Sequence, residues 1–97
     1  MKPQEVASLL GSLTEQLAAI EHERWSHWQR YMHNKAIRQI DGSLLLPPDL
    51  VARWEKQIET KYVDLSEAEK ESDREQVRKY LPVIVSALTN RPDAVED

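Results

Sequence analysis

The sequence predicts an all-α protein, a small domain of three to four helices. Three observations carry that expectation. Only two glycines, Gly11 and Gly42, occur in 97 residues, too few for the turn chemistry that a β-sandwich or barrel needs every few residues. Apolar residues recur at three- and four-residue steps over long stretches. Prolines and capping residues stand where helices would begin. A 40% hydrophobic and 31% charged composition is globular rather than disordered. The length fits one domain, 1–97, with its core over about 5–90.

From Pro3 to about Asn34, Val6, Leu9, Leu10, Leu13, Leu17, Ile20, Trp28 and Tyr31 mark a long N-terminal helix. Proline suits a first turn, where its missing N–H costs little. Gly11 lowers helicity by about 1 kcal/mol relative to alanine. One continuous helix, or a short helix, a kink and a longer helix, are both open. Residues 35–46 read as a connecting loop: Asp41-Gly42 signals a turn. Leu44-Leu45-Leu46 is a short apolar piece expected to tuck under the helices. Pro47-Pro48-Asp49 opens the next helix, with an acid facing the helix dipole. Its stripe is Leu50, Val51, Trp54 and Ile58, and it should end near Thr60.

Tyr62 to Leu65 is a connector. Ser66-Glu67-Ala68-Glu69 then reads as a capping box, each end satisfying the other's free backbone N–H. The last helix should run from about Glu67 to Leu88, charged in its first half and apolar at Val77, Leu81, Ile84, Val85 and Leu88. Pro82 should kink it or divide it in two. Asn90-Arg91-Pro92 should end it, leaving 91–97 as a frayed acidic tail.

Several functions are disfavoured at once. With no cysteine, disulfides, thiol catalysis and cysteine zinc sites drop out. A net charge of −4 speaks against a nucleic-acid polymer as partner, and Arg53, Lys56 and Lys61 form only a thin basic stripe. No stretch approaches the roughly 20 apolar residues of a membrane span, and Met1 to Glu5 do not open a signal peptide. A cytoplasmic protein is expected, with no membrane partner. His22, His27 and His33 are five and six residues apart, so they point in different directions, and no metal site is expected from them. No nucleophile elbow or Gly-rich phosphate loop is present. An enzyme is therefore not expected, no catalytic residue is named, and no cofactor is implied.

The densest functional stretch is Glu21 to Trp28. Its helix has two occupied sides: Ile20, Arg24, His27, Trp28 and Tyr31 lie with the upstream leucines, while His22, Trp25, Gln29, Met32 and His33 lie elsewhere. An aromatic among hydrogen-bonding groups is what a ligand stripe looks like. Packing of Trp25 on the third helix is the other reading. Likewise Lys70, Asp73 and Arg74 belong either to a solvated charged face or to a grip on a phosphate or carboxylate.

Ala18-Ala19-Ile20-Glu21-His22-Glu23-Arg24-Trp25, with Pro48-Asp49-Leu50-Val51 and then Asp64 to Arg74, resembles the ryanodine-receptor repeat (RyR) domain. That family occurs in animal calcium-release channels and as small units in bacteria and phages. The resemblance covers roughly residues 15 to 85. Where the family has a Gly-Trp-x-Tyr-Gly-like turn, this chain has Tyr31-Met32-His33-Asn34-Lys35. That change should spare the fold and leaves open any specificity set by the turn. The resemblance implies a groove between the first and last helices that takes a nucleotide-like small molecule. His22 and Trp25 match its first motif, and Lys70, Asp73 and Arg74 its second. Gln29 joins them as a neighbour of Trp25. Because the repeats come in tandem in the channels, it also implies a homodimer or higher homo-oligomer. Sequestration of a nucleotide immune signal by a phage or bacterium is one concrete form.

Overall fold

The computed structural model describes residues 1–90. The tail expected to be frayed, 91–97, lies outside the described residues. Four helices dominate: α1 (Pro3–Gly11), α2 (Thr14–Lys35), α3 (Pro48–Glu59) and α4 (Glu67–Thr89). A two-stranded ribbon, β1 (Ile37–Arg38) and β2 (Leu44–Leu45), follows α2, and a 3-10 turn (Tyr62–Asp64) precedes α4.

Of the two readings of the N-terminal run, the broken one holds. α1 ends at Gly11, and its last carbonyls are taken up locally. The Ser12 hydroxyl donates to Leu9 O (2.5 Å) and the Thr14 hydroxyl to Gly11 O (2.6 Å). Short hydroxyl side chains compete for backbone partners in this way wherever a helix stops. α2 restarts at once, with Leu17 N–H on Leu13 O (2.9 Å). Leu13, at the break, is 6% exposed and is the one buried residue among those described.

The loop carries the short extended piece that its apolar run suggests. β1 and β2 pair antiparallel, Ile37 opposite Leu45 and Arg38 opposite Leu44. Asp41-Gly42 is the turn. Gly42 takes φ +90, a region costly for any residue with a Cβ. Asp41 Oδ1 accepts from Ser43 N (2.9 Å) and Ser43 Oγ (2.6 Å). The Ser43 hydroxyl, then its N–H, hold the Asp41 carboxyl below its ordinary range. The expected tucking of leucines is corrected: Leu44 is half-buried, while Leu45 and Leu46 are exposed. Successive strand residues point to opposite faces, so a two-stranded ribbon covers at most every other one.

α3 opens on Pro48 and closes at Thr60, whose backbone is extended and whose hydroxyl donates to Lys56 O (2.5 Å). Leu50, Val51 and Trp54 are half-buried as expected, but Ile58 is exposed and Gln57 takes its place. The capping box at α4 is present in both directions: Ser66 N–H donates to Glu69 Oε1 (3.0 Å), and Glu69 N–H to Ser66 Oγ (3.2 Å). Pro82 does not divide α4, which is helical through it.

The described residues fall into two compact units: 1–24 with 73–90, and Trp25–Ser72. Long helices α2 and α4 contribute residues to both.

Candidate functional site

Within the unit 25–72, three aromatics gather. Trp28 stacks on Tyr31, one turn along α2, with ring centroids 5.5 Å apart and planes 21° apart. Trp54 of α3 meets Trp28 edge-on, at 5.5 Å and 69°. Both geometries suit aromatic quadrupoles and add about 0.5–1.5 kcal/mol each beyond buried area. The cluster remains open to solvent, since Trp28 is exposed and Tyr31 and Trp54 are half-buried.

Around these rings lies a cleft of about 290 Å³, lined by His27, Trp28, Tyr31, Arg53, Trp54, Gln57 and Ser72. The polar groups come from defined places. Arg53 and Gln57 are one turn apart on α3 and flank Trp54, and Arg53 Nη2 donates to the Tyr31 hydroxyl (3.1 Å). Gln57 Nε2 donates to Glu69 Oε2 (2.5 Å), which ties α3 to the first turn of α4. A second cavity of about 420 Å³ shares Arg53 and Gln57 and adds Lys56, Thr60, Asp64, Leu65, Ser66 and Glu69. Aromatic faces and two cations, Arg53 and Lys56, thus border one set of cavities. Glu69 lines it as well, and its carboxyl lies below its ordinary range. The Ser66 N–H is the main cause, then Gln57 and the Ser66 hydroxyl.

The residues expected from the sequence divide between the units. His22, Asp73 and Arg74 belong to the first; Trp25, Gln29 and Lys70 belong to the second. His22 and Asp73 are exposed, and Arg74 and Gln29 are half-buried. Trp25 is 58% exposed. Lys70 Nζ lies 5.8 Å from the Tyr62 ring centroid and 3.9 Å from Glu67 Oε1. None of the six lines the aromatic cleft. The groups that do, His27, Arg53 and Gln57, were passed over in the sequence. The available signal was Arg53 and Gln57 bracketing Trp54 at positions −1 and +3 on one helix face.

Among the described residues no three His, Asp or Glu side chains converge to hold a metal ion, and no helix is long and apolar enough to cross a membrane. Comparison with protein-family models, curated proteins and solved structures finds no match to this chain.

Proposed function

We propose that this protein is a non-catalytic binder of a nucleotide-like small molecule and works as a homodimer or higher homo-oligomer. The observation that carries the reading is the open aromatic cleft with Arg53 at its edge. An aromatic face accepts any base at about 1–3 kcal/mol per stacked ring. A guanidinium beside it adds charge-assisted bonds to a phosphate. The resemblance to the RyR repeat supports the same ligand class. The ligand residues expected from the sequence, His22, Trp25, Gln29, Lys70, Asp73 and Arg74, are the alternative to this cleft, which none of them lines. A binder without a catalytic constellation sequesters its ligand or reports it to a partner. Sequestration of a nucleotide immune signal by a phage or bacterium is one such role.

The test is titration with linear and cyclic nucleotides, followed by tryptophan fluorescence and thermal shift. Arg53→Ala should weaken binding about 10- to 100-fold, the equivalent of a lost charged hydrogen bond, with little change in melting temperature. Loss of binding in Trp25→Ala with Arg53→Ala unaffected would move the site to the α2 stripe. No binding across the panel, or a cleaved nucleotide recovered, would overturn the reading.

A further inference from the structure

Gln57 stands where the two cavities of the unit 25–72 meet. It lines the aromatic cleft with Trp28, Tyr31 and Trp54, and the larger cavity with Ser66 and Glu69. It follows Trp54 by three residues on α3, so the two side chains are neighbours on one helix face. Its amide has two ends, an acceptor oxygen and a donor nitrogen. Glu69 decides which end faces which way. Glu69 Oε1 accepts from the Ser66 N–H (3.0 Å), and Glu69 Oε2 accepts from Gln57 Nε2 (2.5 Å). An ionised carboxylate accepts and cannot donate, so the nitrogen end of the amide must face it. The Ser66 N–H above all holds the Glu69 carboxyl below its ordinary range, which keeps it ionised at neutral pH. Glu69 borders the larger cavity and not the cleft. The amide oxygen, Oε1, is therefore the end of Gln57 left for a ligand stacked on Trp54.

Gln57 Oε1 is the fixed acceptor of the cleft. Arg53 and the indoles of Trp28 and Trp54 only donate, the Tyr31 and Ser72 hydroxyls rotate to do either, and His27 does either according to its tautomer. The Tyr31 hydroxyl already accepts from Arg53. Nucleobases differ at their edges in the complementary sense. Adenine and cytosine carry an amino group that donates; uracil and hypoxanthine carry a carbonyl oxygen in its place. We propose that Gln57 selects the base, its amide oxygen accepting from an exocyclic amino group, so that the cleft takes amino-bearing bases in preference to their oxo counterparts. A carbonyl oxygen brought to the same place sets acceptor against acceptor and leaves Gln57 Oε1 without a donor. The cleft is open to water, so the expected preference is that of one net hydrogen bond, about tenfold. Glu69 is a positioning residue, acting through the amide that it orients.

This inference rests on the nucleotide reading of the aromatic cleft, and the experiment separates the two. In fluorescence titration the native chain should bind AMP about tenfold more tightly than the monophosphate of purine riboside, which lacks only the amino group. It should likewise prefer AMP to IMP and CMP to UMP. Gln57→Met keeps the length of the side chain and removes the amide, so AMP and the purine riboside monophosphate should bind it equally. Glu69→Gln gives a readout that a merely structural tie would not move. It keeps the capping box, where its one oxygen answers the Ser66 N–H and its nitrogen faces Gln57. The Gln57 amide must then turn over and offer N–H to the cleft, so the preference should vanish or pass to IMP and UMP. This arm decides the matter should Gln57→Met fail to fold. Equal binding of all these nucleotides by the native chain would overturn the inference and leave the cleft reading standing. So would a preference for AMP that survives Gln57→Met or stays unchanged in Glu69→Gln. No binding of any of them would remove both.

Discussion

The two units of this chain are built on different terms. Residues 25–72 are held by side-chain contacts between elements. Trp28 of α2 meets Trp54 of α3, Arg53 bonds Tyr31, and Gln57 bonds Glu69 across to α4. Residues 1–24 with 73–90 hold Leu13, the one buried residue among those described, and the Tyr80–Glu21 bond. The first arrangement fixes geometry by directional bonds between elements, the second by packing around Leu13, and apolar side chains stay open in both, Ile40 and Ile58 in the first and Leu81 and Val85 in the second.

That contrast can be broken by mutation. The largest effect is expected from Trp54→Ala, which removes the ring that joins α3 to α2. Full burial would cost about 3–5 kcal/mol, and half-burial places the loss near the lower bound. Amide exchange should show the loss first in 25–72. Leu13→Ala should cost about 2–3 kcal/mol and loosen α1 and the start of α2 before the aromatic unit. If both variants raised exchange equally everywhere, the units would be one cooperative body and the contrast would fail. Ser66→Ala removes a cap and should cost about 1 kcal/mol, read as faster exchange in the first turn of α4. The smallest effect is electrostatic. Glu69 is held below its ordinary carboxylate value by the Ser66 N–H, Gln57 and the Ser66 hydroxyl. A depressed folded value means stability present above the unfolded value and lost as pH falls through the folded one. Glu69→Gln should therefore lose part of its deficit relative to the native chain on acidification below about pH 4. A deficit constant with pH would separate the cap from the charge.

Much of this fold was legible because its signals are local. Proline at the start of α1 and α3, the Ser66–Glu69 box and the Asp41-Gly42 turn each act within four residues, and each is found where the sequence puts it. Ile58 and the leucines 45 and 46 were misplaced because a periodic stripe says which residues share a face, not whether anything covers it. The site was harder for the same reason. Trp28, Tyr31 and Trp54 read as core from spacing alone. Only the meeting of α2 with α3 shows a half-open cluster and recruits Arg53 and Gln57, residues ordinary in isolation. Pro82 illustrates the reverse: its local rule offers a kink or a division, and α4 is not divided there.

The Trp28–Trp54 pair has an optical consequence. Two indoles 5.5 Å apart and steeply inclined have transition dipoles close enough to couple. They should add a pair of circular-dichroism bands of opposite sign to the helical spectrum. Trp25, the most exposed of the three indoles at 58%, contributes mainly red-shifted fluorescence. One unlabelled sample thus carries two colours of information: a chiral band that reports on the α2–α3 junction, and an emission that reports on the exposed face of α2.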